Sequence, residues 1–208
     1  TDGTAKTATA DGSGNYSLAV SDNWSGTVTP SLTGYSFTPA FRTYTNVRSG
    51  QYSQNYTATA ITYAISGNAG AAGVTLSYTD GSAKTATADG SGNYSFAVSY
   101  NWSGTVTPSF TGHSFTPANR AYANVLSDQT SQDYTAIPIT FTISGNAGIS
   151  GAILSYSDGS AKTATADGSG NYSFAVSYNW SGTVTPSFSG YSFTPSNRTY
   201  INVLSNQL

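Results

Sequence analysis

The sequence lacks cysteine, methionine and glutamate, and it is poor in charge of either sign. Only 8% of its 208 residues are charged and the net charge is −2, whereas about 25% is usual in globular domains. Without cysteine there are no disulfides and no thiolate metal sites. Seven Lys and Arg residues cannot form the basic stripe that nucleic-acid binding requires. Because no apolar run approaches roughly 18 residues, we also expect no membrane insertion.

Small polar and aromatic residues are abundant instead. The chain contains 22 Gly and 16 Tyr, and 38% of its residues are hydrophobic, which is too many for a chain kept disordered by charge. A composition rich in Ser, Thr, Asn, Gly and Tyr is typical of extracellular bacterial surface proteins. We therefore expect an extracellular or cell-surface location.

The sequence repeats itself with a period of 78 residues. One 13-residue string recurs without insertion, beginning at Ala5, Ala83 and Ala161. Residues 79–130 differ from 157–208 at 8 of 52 positions, and 1–52 differ from 79–130 at 11. This period exceeds the 20–50 residues of a solenoid repeat and is long enough for a small domain. The pattern therefore predicts a tandem array of small domains.

Within one unit, short alternating segments predict strands, and no helical period occurs. About seven strands are expected, at 61–66, 74–78, 83–88, 94–98, 105–110, 120–125 and 132–135. Pro108 makes the fifth an edge or bulged strand. Turn signals every 8–12 residues are typical of a β-sandwich. The alternation selects as core candidates Ile61, Ile65, Leu76, Tyr94, Phe96 and Val98.

The period also predicts where each domain begins and ends. Residues 1–59 form a partial repeat without the first two strands, 60–137 a complete repeat, and 138–208 a repeat without its last strand. The chain is then either an excerpt of a longer array or a subunit whose gap is filled by strand addition from a neighbour. The link at 135–138 is short and contains proline, so neighbouring domains should lie close together.

Three segments carry a resemblance to a known family. Residues 143–152, 89–96 and 102–109 resemble, in this order and spacing, the carboxypeptidase-regulatory-like, prealbumin-type β-sandwich repeats of large bacterial secreted proteins. The resemblance covers the whole chain. It implies an all-β, Ig-like fold and an extracellular spacer or stalk module, and it implies no catalytic residues.

Candidate reactive groups are few. The single histidine, His113, is replaced by Tyr35 and Tyr191 in the other copies, which indicates aromatic packing rather than acid–base chemistry. Asp89, Ser91 and Asn93 alternate like the first ligands of a calcium loop, but no Gly stands at the sixth position and no Glu follows. Turn formation accounts for the presence of Asp, Ser and Asn at these positions, and the three residues are retained as weak candidates for calcium binding. We expect no catalytic site and no other cofactor.

Three tryptophans are candidate ligand or interface residues, each within an Asn-Trp-Ser-Gly string: Trp24, Trp102 and Trp180. An exposed indole ring in a loop can stack on a sugar, and repetition would add avidity. Alternatively, each ring covers the end of its sandwich or the contact between two domains.

These patterns favour a non-enzymatic structural repeat of an extracellular stalk, fibre or surface filament. Its partners would be other copies of itself, in a polymer or in a longer tandem array. Two alternatives stay open: a multivalent adhesin that binds glycans through the tryptophan loops, and a spacer of a secreted enzyme.

The substitution Trp102→Ala separates the two roles of the tryptophans. If the ring covers the sandwich end, we expect a loss of about 3–5 kcal/mol in the free energy of unfolding, as for other buried aromatic truncations. Urea titration measures this loss. A variant of unchanged stability that no longer binds glycan would instead support the adhesin.

Overall fold

The computed structural model of the chain describes residues 3–208. All secondary-structure elements in this range are β-strands, which confirms the all-β fold class. Residues 3–208 contain no helix with the length and apolarity needed to cross a membrane.

Strands recur along the chain at matching positions of the sequence repeat. The first repeat contains β1 Trp24–Val28, β2 Tyr35–Thr38, β3 Arg42–Val47 and β4 Thr57–Ala60. The second contains β5 Thr62–Asn68, β6 Thr75–Asp80, β7 Ser82–Thr87, β8 Asn93–Ser99, β9 Trp102–Ser109, β10 His113–Thr116, β11 Arg120–Val125 and β12 Thr135–Pro138. The third contains β13 Thr140–Asn146, β14 Ile153–Asp158, β15 Ser160–Thr165, β16 Asn171–Ser177, β17 Trp180–Ser187 and β18 Arg198–Val203.

By its internal contacts the chain divides into two compact units. One comprises the residues up to Ile65 with 97–103 and 122–129, and the other comprises 66–96, 104–121 and 130–208. The first repeat lies within the first unit and the third repeat within the second. The boundaries expected from the sequence period, at 59 and 137, stay a prediction.

The third repeat consists of two small antiparallel sheets. One has the strand order β15-β14-β17-β18 and the other pairs β13 with β16. Alternate side chains of these strands face inwards and, with two alanines next to the strands, form one apolar core: Ile143, Ala152, Leu154, Ala166, Phe174, Val176, Trp180, Val184 and Val203.

The second repeat has the same sheets with one further pair, β10 with β12. It therefore has eight strands, and the expectation of seven missed β10. The last strand begins at Thr135, at the end of the expected segment 132–135. The preceding residues instead run along β5, where Gln132 and Tyr134 donate backbone hydrogen bonds to Ser66 and Asn68.

The strand that carries the proline lies inside its sheet and contains a register irregularity, so of the two expected alternatives, edge or bulged, the edge position is wrong and the pairing is consistent with the bulged strand. In the third repeat β17 lies between β14 and β18. However, β18 pairs with Trp180–Val184, whereas β14 pairs with 185–187, where Pro186 lies opposite Leu154. The proline therefore has a neighbouring strand on one side alone. Because proline has no backbone N–H, this position avoids the loss of a hydrogen bond within the sheet. The irregularity in this strand lies at Trp180/Gly182 and not at the proline.

Four of the six expected core residues are fully buried: Ile65, Leu76, Tyr94 and Val98. The other two are half-buried. Phe96 stacks on Tyr78 with ring centroids 4.2 Å apart, and Ile61 lies in the connection between two repeats.

Identical segments form strands in one repeat and not in another. Residues 15–21 match β8 except at Leu18 but form no strand, and residues 191–194 match β2 but form none either. The counterparts of their pairing partners, β5 and β4, are absent from these 208 residues. Pairing with a neighbour, rather than local sequence, decides whether these segments become strands.

Truncation of a core side chain should destabilise the third repeat. We expect Leu154→Ala to lower the free energy of unfolding by about 2–5 kcal/mol, because it removes buried methyl groups and leaves a cavity. Leu204→Ala is the matched control, since Leu204 is 54% exposed whereas Leu154 is 2% exposed. Urea denaturation measures both variants, and equal losses would contradict this assignment of the core.

Candidate functional site

The tryptophan rings are packed into the protein rather than displayed. Trp102 and Trp180 are 6% and 7% exposed, and Trp24 is half-buried. The indole N–H of Trp180 donates to the Ser157 carbonyl at 2.7 Å. Its ring covers Gly182, where a Cβ atom would collide with it, and this close approach explains the Trp-Ser-Gly spacing. Trp102 and Trp180 therefore expose little surface on which a sugar could stack, and a ligand role for the three tryptophans stays a prediction.

The calcium candidates form a hydrogen-bonded turn. The Asp89 carboxylate accepts the backbone N–H groups of Ser91 and Asn93 at 2.8 and 2.9 Å. The side-chain oxygen of Asn93 accepts a hydrogen bond from Asn68. Within residues 3–208 no three acidic or histidine side chains come together as a metal site would require. The geometry is that of an Asx turn, and calcium binding here stays a prediction.

His113 lies against an aromatic ring, as the tyrosines in its place suggested. Its ring is 5.0 Å from that of Phe110, and its Nδ1 is 3.1 Å from the Thr111 carbonyl oxygen. In the third repeat Phe188 and Tyr191 form the corresponding pair at 5.4 Å. No carboxylate hydrogen-bonds His113 among the described residues, so nothing orients it as a general base.

The most elaborate polar arrangement surrounds Tyr134, just before the last strand of the second repeat. The Tyr134 ring is 3% exposed, and its hydroxyl donates to the Val106 carbonyl at 3.1 Å. The Arg120 guanidinium carbon lies 5.5 Å from the centre of this ring, and its Nη2 donates to the Asp133 carbonyl at 2.7 Å. One arginine therefore holds the segment by both a cation–π contact and a hydrogen bond.

The first repeat builds the same arrangement from its own residues. The Tyr56 hydroxyl donates to the Val28 carbonyl at 2.9 Å. Arg42 lies 5.6 Å from the Tyr56 ring and donates to the Asn55 carbonyl at 2.9 Å. An arginine therefore donates a hydrogen bond to a backbone carbonyl of the last segment in both copies.

Backbone hydrogen bonds and a carboxylate hold the same segment along β5. The Asp133 carboxylate accepts the N–H of Asn68 at 2.8 Å, and Tyr134 donates its own N–H to the Asn68 carbonyl at 2.8 Å. Tyr94 donates its hydroxyl to the Gln132 carbonyl. We call this surface the last-strand site; in the second repeat it consists of Gly67, Asn68, Gly70, Tyr94, Val106, Gly112 and Arg120. Sequence reasoning missed it, although the recurring Gln-Asx-Tyr-Thr string was a signal.

A single isoleucine links each repeat to the next. Ile139 donates its N–H to Gly112 at 2.8 Å, and its carbonyl accepts the N–H of Tyr178 at 3.0 Å. The Tyr178 ring packs near Phe141, with centroids 6.3 Å apart. Gly112 adopts φ +73°, and a Cβ there would lie 3.3 Å from the Tyr178 side chain. Both facts favour glycine at this junction.

The junction between the first two repeats has the same geometry. Ile61 donates to Gly34 at 2.8 Å and accepts from Tyr100 at 3.0 Å, and the rings of Tyr63 and Tyr100 are 6.4 Å apart. In the first repeat the position of Tyr100 is occupied by Asp22. The segment 135–138, which was expected to be the link between two repeats, is the strand β12. The residue that connects the second repeat to the third is Ile139.

Comparison with known proteins shows similarity at the level of fold. The Bacillus anthracis TIE protein matches 88% of this chain with 11% identity and a TM-score of 0.56. The chain spans 41% of the length of that protein. This likeness shows a shared β-fold and nothing more specific. No family model matches the chain, and no curated protein matches it.

Two pilins are more distant matches. GBS52, the minor pilin of Streptococcus agalactiae, matches 70% of this chain and 92% of its own with 9% identity and a TM-score of 0.30. A streptococcal ancillary pilin matches 71% of this chain and 62% of its own with 10% identity and a TM-score of 0.31. These likenesses are too slight to add to the conclusion on the fold.

The Asx turns should make stability depend on pH in the acid range. Backbone N–H groups, of Asn93 first and then of Ser91, hold the pKa of Asp89 below its usual 3.8. The pKa values of Asp11 and Asp167 are lowered in the same way. Since the folded pKa is the lower one, the contribution is complete above pH 3.8 and is lost as pH falls through the folded value. We expect the melting temperature to fall below pH 3.8, and to fall less in a triple Asp→Asn variant.

The control for this pH experiment is Asp22→Asn, which removes the charge of an exposed aspartate outside the three Asx turns. Melting curves between pH 2 and 7, followed by circular dichroism, compare the variants. If the triple variant loses as much stability in acid as the native chain, the turns are not the source of the dependence.

Proposed function

We propose that the chain is a non-enzymatic structural module of an extracellular stalk, fibre or surface filament. The observation that carries the proposal is the junction, which is built twice with the same two backbone hydrogen bonds, at Ile61 and at Ile139. A linker that is bonded to both of its neighbours acts as a stiff joint rather than a flexible tether. Repeats joined in this way set a distance and transmit force.

The surface chemistry supports the same function. Only 8% of the residues are charged, so copies can approach each other without strong electrostatic repulsion. Apart from the exposed Asp22, the carboxylates that the structure describes serve turns, ion pairs and backbone contacts, as in Asp80 with Lys84 at 3.1 Å. Within residues 3–208 nothing resembles a metal cluster. These charged side chains therefore stabilise the turns and sheets of the fold.

Assembly into a filament is the finer part of the proposal. Partners would be other copies of this chain, in a polymer or in a longer array, joined by strand addition or by end-to-end contacts of the Ile139 type. Near-identical neighbours favour such exchange, because a strand of one copy fits the site of another.

Spin-label distances test the stiffness of the second junction. Because the chain has no cysteine, Ser91→Cys and Ser169→Cys provide two unique label sites in equivalent exposed turns. We expect electron–electron double resonance to give one narrow distance distribution. A broad distance distribution in the folded protein would contradict the proposed spacer function.

Tyr178→Asp is the matched variant for this measurement. The first repeat already has Asp22 at this position, so we expect the third repeat to stay folded. Loss of the ring that packs near Phe141 and Gly112 should broaden the distance distribution. An unchanged distribution would show that the ring does not stiffen the junction.

A further inference from the structure

One edge of the four-stranded sheet is built from the same sequence in two repeats. β7 ends the strand order β11-β9-β6-β7, and β15 begins the order β15-β14-β17-β18. Both strands have the sequence Ser-Ala-Lys-Thr-Ala-Thr. No strand that the structure describes pairs with their outer side. Each strand therefore presents a row of backbone donors and acceptors to solvent, as sheet edges do.

These edges lack two of the features by which proteins prevent edge pairing, proline and a β-bulge. Each strand pairs with its neighbour over six successive residue pairs without a register shift. The opposite edge of the third repeat differs, because Asn202 in β18 adopts φ +50° and the pairing with β17 shifts between Trp180 and Gly182. Such a bulge protects an edge. The sheet is thus protected at β18 and regular at β15.

The third protective feature, a charged side chain, is present but turned away. Lys84 lies two residues before Ala86, which is opposite the buried Leu76, so the lysine projects from the core-facing side of the strand. Its ammonium contacts the Asp80 carboxylate at 3.1 Å, and the same ion pair recurs in the third repeat at 3.3 Å. The only charge of each edge strand is therefore neutralised within its own hairpin.

The edge strand is complementary to itself. Ala83, Thr85 and Thr87 project from the solvent face and are exposed. In an antiparallel pair, directly opposite residues project from the same face. A two-fold axis through Thr85 then places Thr85 opposite its own copy and Lys84 opposite Ala86. This register pairs threonine with threonine, which is favourable across strands, and keeps the two lysines from lying opposite each other, which is not.

We propose that β7 and β15 are lateral association surfaces for a second copy of this chain, whose β7 or β15 pairs with them antiparallel with Thr85 or Thr163 at the centre. The inference deepens the filament function proposed above and rests on it for its biological role. The junctions at Ile61 and Ile139 would set length, and edge pairing would join neighbouring chains side by side. Because one chain has two such edges, individually weak contacts reinforce each other.

A second copy fits this edge better than an unrelated peptide does. Strand addition of foreign peptides gains its specificity from pockets that receive alternate side chains, whereas this edge offers only Ser, Ala, Thr and an ion-paired Lys. Small side chains on both partners let two such strands approach closely. With 8% charged residues and a net charge of −2, two copies also meet without strong repulsion.

Sedimentation velocity of the intact 208-residue chain over a range of concentrations tests the proposal. We expect a reversible increase in mass with concentration. The double variant Thr85→Lys/Thr163→Lys places like charges opposite each other at the centre of the contact. It should weaken association about tenfold or more, because such a juxtaposition is costly at an interface. Both positions are exposed, so the variant should stay folded.

Thr107→Lys/Thr185→Lys is the matched control. It adds the same charge to the same exposed face, but on β9 and β17, which lie inside their sheets. This variant should associate like the native chain. The proposal is overturned if the native chain stays monomeric up to about 1 mM, or if the control weakens association as much as the edge variant does.

Cysteine cross-linking tests the register. Because the chain contains no cysteine, Thr85→Cys/Thr163→Cys places thiols only at the centres of the two edges. A short bismaleimide should join copies of this variant into covalent dimers and larger species on a denaturing gel, and should leave Thr107→Cys/Thr185→Cys monomeric. Equal cross-linking of the two variants would overturn the edge contact.

Electron microscopy separates this inference from the filament function. We expect native filaments to align side by side and filaments of the Thr85→Lys/Thr163→Lys variant to stay single. Filaments that bundle equally well in the variant would retain the filament function and overturn the edge contact. Edge association of a native chain that never forms filaments would retain the edge contact and contradict the filament function.

Discussion

The backbone N–H and C=O groups of an extended segment must find partners, and the rest of this structure depends on that requirement. A segment that differs at Leu18 alone forms β8 in the second repeat and no strand at 15–21 in the first. The difference lies in the neighbour, because β8 pairs with β5, whereas no strand among residues 3–208 pairs with 15–21. A strand in this protein is therefore a property of a pair of segments.

The last segment of each repeat shows how side chains reinforce this pairing. A short segment gains few backbone hydrogen bonds, and its conformational entropy opposes docking. Tyr134 offsets this cost because it buries a large ring whose hydroxyl is hydrogen-bonded. Arg120 donates a hydrogen bond to the carbonyl of the preceding residue, Asp133, and lies over the same ring. In a chain with so little charge, Arg42 and Arg120 act as structural clamps.

The junctions extend the same principle from strands to repeats. Ile139 is bonded on one side to Gly112 and on the other to Tyr178, so the backbone hydrogen bonding does not stop at the end of a repeat. An aromatic pair lies beside each junction, at Tyr63–Tyr100 and at Phe141–Tyr178. These contacts, rather than a reactive group, are what the proposed spacer function uses.

The sequence by itself determined the 78-residue period, the all-β class, the turns at Asp89 and its copies, and four of the buried core residues, because local alternation and turn chemistry depend on neighbouring residues. It did not determine β10, the interior place of the proline strand, the burial of Trp102 and Trp180, or the Ile139 junction. These depend on residues far apart in the chain, and identical segments have different structures where their partners differ. The tertiary structure alone decided that the Tyr134 hydroxyl meets the Val106 carbonyl beside Arg120, because residues so far apart in the chain are brought together only by the packing of the strands.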